Sequence, residues 1–199
     1  MVAARKAALR AEAAERRERV WQRSGQPPCD ALGHLGAELI SKFPNAATIS
    51  GYRPIRSELD PLPLLEALHA QGKQIALPIA QPGPSLKFRA WTPGLPLVRN
   101  RLGIEEPSEE QSEVRPDVVL VPLLAFDRSG DRLGYGAGYY DAAIRFLRET
   151  GPVTAIGISF DEQEFPEIPR EPQDEPLDMI LTPTRVIACG ESHAAPISR

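Results

Sequence analysis

Apolar and polar positions follow two rhythms along the chain, one helical and one strand-like. From residue 3 to 23 Ala, Arg, Glu and Leu run without internal Gly or Pro, which predicts an exposed helix. "SGQPP" ends it, and Asp30 is placed to cap a second helix, "ALGHLGAELISKF". Segments of small, β-branched and apolar residues then predict three strands, "AATISGY", "QIALPIA" and "LKFRAW". Between the first two, "RPIRSELDP" reads as a polar loop. Asp60 is placed to cap a helix through "PLPLLEALHAQG" that ends at Gly72. "TPGLPLVRNRLGIEEPSEEQSEVRP" is expected to be an extended surface connection with an acidic stretch. "DVVLVPLLAF" is a continuous apolar run, the pattern of a central strand buried on both faces. "GYYDAAIRFLRET" sets Ala143, Ile144 and Leu147, with part of Tyr139, at helical spacing, and Gly151 stops it. "VTAIGISF" reads as another buried strand, and "MILTPTRVIAC" as one or two short terminal strands.

Strands alternating with helices predict an α/β fold: a single three-layer α/β/α domain over residues 1–190, with a mostly parallel sheet. Residues 191–199 are expected to be a disordered tail. At 199 residues, 42% of them hydrophobic and 25% charged, the chain can bury a sizeable core and has the balance of a soluble globular protein. A net charge of -4 speaks against nucleic acid as a partner. No apolar run reaches membrane-spanning length, and "MVAARKAALRAEAAERRERV" lacks a signal-peptide core. Its glutamates speak against a transit peptide, so a cytoplasmic location is expected. Cys29 and Cys189 lie far apart without CxxC spacing and read as two thiols in a reducing compartment.

In a parallel α/β sheet, ligands gather beyond the carboxyl ends of the strands, and "DRSGDRLGYGAGYYD" falls at that place. It is not the dinucleotide fingerprint GxGxxG, because Tyr139 stands three residues after Gly136. Nor is it a Walker loop, since no Gly-Lys-Ser or Gly-Lys-Thr occurs. What remains is physical. Gly134, Gly136 and Gly138 let backbone N–H groups approach an anion, and a helix starting near Tyr139 turns its positive end to the same spot. Arg132 could grip a phosphate in a bidentate way, and Asp141 could hold a magnesium ion beside it. The competing reading is a plain glycine-rich turn whose Asp141 only solvates the first helical turn. His34, His69 and His193 are dispersed, so zinc has no support, and neither Ser50 nor Ser159 sits in a GxSxG elbow. Tyr139 and Tyr140 could stack a flat heterocycle or pack in the core. Glu58 could hydrogen-bond an aminopyrimidine ring or be a solvated loop residue. Lys6 and Arg10, one helical turn apart, form a double cation on one face or are simply solvated.

"PLLAFDRSGDRLGYGAGYYD" resembles the signature of the 5-formyltetrahydrofolate cyclo-ligases, also called methenyltetrahydrofolate synthetases. "RKAALR", "GYRPIRSELD" and "EPQDEPLDMILTPTRVI" extend the resemblance from end to end. It implies a single α/β domain serving one-carbon metabolism, with the N-terminal helix, residues 3–23, packing near the nucleotide site. The implied reaction is ATP- and Mg2+-dependent closure of 5-formyltetrahydrofolate to 5,10-methenyltetrahydrofolate, with release of ADP and phosphate. By position it implies ATP contacts at Lys6, Arg10, Arg132, Leu133, Gly134, Tyr135, Gly136, Ala137, Gly138, Tyr139 and Tyr140. It implies folate contacts at Arg53, Glu58, Tyr135, Gly136, Ala137, Gly138 and Tyr139. Asp141 and Asp174 are the implied magnesium carboxylates, and Arg132 and Asp141 the catalytic pair. Gln173 stands where many relatives carry His, and Tyr135 where some carry a basic residue, so neither of those contacts carries over. The implied partners are small molecules, with neither nucleic acid nor membrane, and the chain reads as a monomer, with a weak homodimer as the alternative. Two other classes stay open: a non-catalytic folate- or nucleotide-binding paralogue, and an α/β enzyme of sugar phosphates or CoA esters.

Overall fold

A computed structural model describes residues 2–24, 29–100 and 103–190. In chain order its helices are α1 (Val2–Ser24), α2 (Cys29–Ser41), α3 (Leu62–Ala70) and α4 (Tyr139–Thr150). Its strands are β1 (Thr48–Ser50), β2 (Gln74–Gln81), β3 (Ser85–Ala90), β4 (Val98–Arg99), β5 (Glu105–Glu106), β6 (Val118–Pro122), β7 (Ala125–Phe126), β8 (Arg132–Leu133), β9 (Thr154–Ile158), β10 (Met179–Leu181) and β11 (Val186–Ala188). Seven of them form the central sheet in the order β11-β10-β9-β6-β1-β2-β3. The five inner strands are parallel, and β3 and β11 close the two edges antiparallel.

The layers follow from the two-residue repeat of a strand. In β6, Val118 and Leu120 face one way and join Leu39, Ile40, Leu64, Leu65 and Leu68 of α2 and α3 in one core. Val119 and Val121 face the other way and join Ala143, Ile144 and Leu147 of α4 in a second core. The result is the three-layer α/β arrangement expected from the alternation of elements. The N-cap of α3 is Pro61, without a side-chain cap, and Asp60 stands one residue before it, its Oδ1 accepting from the Leu62 N–H at 2.9 Å. Helix α2 already begins at Cys29, one residue before its expected cap, and the Asp30 side chain lies outside the described residues. The expected tail over 191–199 also lies outside them. Among the described residues no helix is long and apolar enough to cross a membrane.

Three expectations are corrected. The run "DVVLVPLLAF" is not one strand: β6 ends at Pro122, which has no N–H to continue the ladder, and β7 leaves the central sheet to pair with β8. The run stays apolar because its second half is covered by α1, in a third core of Ala13, Leu124, Ala125, Leu133, Phe165 and Ile168. Helix α1 is therefore docked, not exposed, with Lys6, Ala13, Arg17 and Val20 buried along one stripe. Within the connection 92–116, β4 and β5 pair as a short ribbon.

This topology fixes where a ligand can sit. β1 is flanked by β2 on one side and β6 on the other, so the chain leaves their carboxyl ends in opposite directions and opens a crevice there. Residues 51–61 after β1 and the segments after β6 and β8 meet at that crevice, and α1 is laid across it.

Candidate active site

The crevice holds a cavity of about 510 Å3. Lys6 and Arg10 of α1, Arg53 and Glu58 after β1, residues 132–141 and Asp174 all lie on its wall. The structure thus brings every candidate residue of the sequence to one place, from four separate parts of the chain.

The glycine loop runs from β8 to α4. Gly138 is the N-cap of α4 at φ 72°, and no side chain caps that helix end. The N–H groups of residues 135–140 donate to no acceptor among the described residues. Unpaired loop donors next to the positive end of a helix make an anion site. Gly136 is required at its position: its φ is 97°, and a Cβ there would stand 3.2 Å from Cζ and Nη2 of Arg10. Arg10 in turn donates from Nε to the Gly134 carbonyl at 3.0 Å, tying α1 to the loop.

Cations and carboxylates alternate around the loop. Arg132 is nearly buried, donates to Asp141 Oδ1 at 2.7 Å and also to the Glu175 carbonyl. The Glu175 N–H reaches the same Asp141 oxygen at 3.0 Å. Lys6 is 5% exposed and donates to Glu171 Oε2 at 2.8 Å and to Asp174 Oδ2. Burial works against the Lys6 charge, but the hydrogen bonds to Asp174 and Glu171 outweigh it and lift the ammonium above its ordinary range. The sequence reading missed Arg145, which also lines the cavity and is held by Glu175 at 3.0 Å. Its position one helical turn after Asp141 was the available signal.

Magnesium can be tested against this donor set. Among the described residues no three His, Cys, Asp or Glu side chains gather as a metal site. Instead, Asp141 takes its hydrogen bonds on Oδ1 and Asp174 on Oδ2, so each carboxylate keeps one oxygen for a further ligand. Two hard carboxylates beside an anion loop suit Mg2+, which takes one or two protein carboxylates and completes its shell with water and phosphate oxygens.

The rest of the lining differs in chemistry. Pro78, Ala80, Leu86 and Ile104 add apolar surface, and Glu58 is on the lining too. Glu58 is 4% exposed, accepts from the Ile55 N–H at 2.8 Å and has Arg17 Nη1 3.9 Å from Oε1. Burial raises its carboxyl above the ordinary range, against the Ile55 N–H, Arg17, Tyr135 and Arg56, which favour the carboxylate. It is not the solvated loop glutamate of the bland reading. Of the two tyrosines, Tyr140 packs against the second core, and burial pushes its hydroxyl well above the ordinary range. Asp127, which had no chemical role in the sequence, locks the turn before β8: Oδ1 accepts from the Ser129 and Asp131 N–H groups and Oδ2 from Ile168 at 2.7 Å.

The chain is similar to proteins of one known family. A sequence profile described as the 5-formyltetrahydrofolate cyclo-ligase family matches residues 2–183. The chain is 38% identical over 166 residues to the 5-formyltetrahydrofolate cyclo-ligase of Escherichia coli K12, covering 78% of this chain and 90% of that one. It is 37% identical over 150 residues to that of Mycolicibacterium smegmatis, covering 70% and 75%. Among solved structures it is similar to the 5,10-methenyltetrahydrofolate synthetase of Aquifex aeolicus, with a TM-score of 0.70 and 26% identity over 96% of this chain and 95% of that one.

Proposed function

The chain belongs to the 5-formyltetrahydrofolate cyclo-ligase family, and we propose that it closes 5-formyltetrahydrofolate to 5,10-methenyltetrahydrofolate with ATP and Mg2+, through a phosphorylated formyl group. The observation that carries the reading is the loop 135–140, with its unpaired N–H groups, set between the Arg132–Asp141 and Lys6–Asp174 pairs on one cavity wall. A buried carboxylate and apolar residues on the same lining suit a flat, hydrogen-bonding pterin.

The N5-formyl group is amide-like, so its carbon is a poor electrophile and its oxygen a poor leaving group. In the proposed sequence the formyl oxygen attacks the γ-phosphorus of ATP and ADP departs. N10 then attacks the activated carbon, loses its proton, and the C–O bond breaks with the electron pair leaving on phosphate. Phosphoryl transfer asks the protein for positioning and charge neutralisation more than for a covalent partner. Loop N–H groups, Lys6, Arg10 and Arg132 hold the triphosphate, while Glu58 and Arg53 hold the folate and Tyr135 and Tyr139 frame it. Asp141 and Asp174 would hold Mg2+, which neutralises phosphate charge when bound. We read the working unit as a monomer placed in the cytoplasm.

The test is the purified chain with Mg-ATP and 5-formyltetrahydrofolate. The reading expects near-ultraviolet absorbance of the methenyl product to grow only when ATP and magnesium are both present. Folded protein that binds folate and nucleotide without forming product would make it a binding paralogue instead.

A further inference from the structure

Arg17 stands one layer behind the cavity. It lies on the buried stripe of α1 that also carries Lys6, is 2% exposed, and does not itself line the site. Its guanidinium joins three parts of the chain. Nη2 donates to the Tyr135 hydroxyl, Nε to Ser57 Oγ at 3.3 Å, and Nη1 to the Leu123 carbonyl at 3.4 Å while lying 3.9 Å from Glu58 Oε1. The Tyr135 ring is also covered by two cations, with Arg17 5.6 Å and Arg56 5.2 Å from its centroid. Arg56 is the sole described non-glycine residue at positive φ, 55°, a conformation that persists only where the surroundings demand it.

We propose that Arg17 is a positioning residue, holding the Glu58 carboxylate and the Tyr135 hydroxyl in register on the cavity wall so that the folate half of the site is assembled through α1. The proposal rests on the folate-binding reading of Glu58. Arg17 acts on Glu58 from α1. Arg56 and Tyr52 face the carboxylate from its own segment, Tyr135 from the glycine loop and Tyr140 from α4, while Asp60 acts on Tyr52. Within that set Arg17 and Arg56 are the cations, and Arg17 is the buried one, so its removal takes away the main charge that offsets burial and leaves the Ile55 N–H, Tyr135 and Arg56 to favour the carboxylate. A purely structural arginine would affect the whole crevice alike. A positioning one affects the folate half and the ionisation of Glu58.

The experiment uses the full chain carrying 13C-labelled glutamate, with the Glu58 signal assigned through Glu58→Gln. Its titration is followed without substrate in the wild type, Arg17→Gln, Arg17→Lys and Tyr135→Phe, and KM values are measured beside it. Arg17→Gln is expected to move the Glu58 midpoint upward and to raise KM for 5-formyltetrahydrofolate at neutral pH by on the order of tenfold, with KM for ATP within about twofold. Arg17→Lys should return most of both. An unmoved midpoint, or parallel rises in both KM values, would overturn the proposal. Should Arg17→Gln fail to fold, Tyr135→Phe decides, since it removes a hydroxyl from a ring that is 40% exposed. Its midpoint must also rise, and no shift sinks the idea. The titration needs no turnover, so an inactive wild type would count against the cyclo-ligase reading and leave this result standing.

Discussion

Replacing Gly136 by alanine perturbs the anion loop at its tightest point. At φ 97° an L-residue carries a strain of about 1–2 kcal/mol. The new Cβ would also stand 3.2 Å from the Arg10 guanidinium. Arg10 must then give way, which endangers its hydrogen bond to the Gly134 carbonyl, worth about 1 kcal/mol for a half-exposed group. The free protein can relieve both by letting the exposed loop drift away from α1, since residues 135–138 belong to none of the three cores. Nucleotide binding has to restore the original geometry, so the cost reappears there: about 2–3 kcal/mol, or roughly 30- to 160-fold in affinity. The assay is calorimetric titration with Mg-ATP and separately with 5-formyltetrahydrofolate, alongside urea unfolding. Gly83→Ala is the control, because it also imposes a positive φ, 78°, with nothing within 4 Å. It should cost stability alone. Nucleotide affinity within about threefold of wild type in Gly136→Ala would refute the claim that this loop is the phosphate cradle.

Three further outcomes follow from the same contacts. Asp141→Ala removes the partner of Arg132 and one proposed magnesium carboxylate, so turnover should fall by about 10²–10³ while folate affinity stays near wild type; unchanged turnover would take Asp141 out of the site. Burial raises the Glu58 carboxyl, so the folded chain binds that proton more tightly than the unfolded chain, and ionising it weakens the fold as pH rises above 4.5. The stability of Glu58→Gln relative to wild type should therefore improve from about pH 4 to about pH 8 in urea titrations, while folate binding is lost; a slope of opposite sign would contradict the burial argument. Gly130→Ala places a Cβ 2.4 Å from the Leu177 carbonyl at φ 88°, so it should destabilise by about 2–4 kcal/mol and express poorly without touching any cavity residue.

The parallel sheet was legible because its strands are buried on both faces, and residues 118–121 leave no other reading. The loop was legible as a candidate because spacing excluded the dinucleotide and Walker patterns and left an anion site or a plain turn. What escaped was set by tertiary contact. α1 looks exposed because its buried stripe contains Lys6 and Arg17, whose charges are satisfied by Glu171, Asp174 and Glu58 from elsewhere in the chain. A period of four and three along residues 6, 10, 13, 17 and 20 was visible, but cations on it read as solvated. Arg56 and Arg145 escaped for the same reason, since their partners Tyr135 and Glu175 are remote in sequence. The split of "DVVLVPLLAF" at Pro122 was hidden by uniform apolarity, because cover by α1 and cover by a second sheet face demand the same residues.

The most direct test of the account follows one oxygen atom. 5-Formyltetrahydrofolate carrying 18O in its formyl group is turned over with Mg-ATP in unlabelled water, and the released phosphate is analysed by mass spectrometry. Phosphorylation of the formyl oxygen predicts one 18O atom in the phosphate for each methenyl product formed. Unlabelled phosphate, or ATP hydrolysis without label transfer, would contradict it.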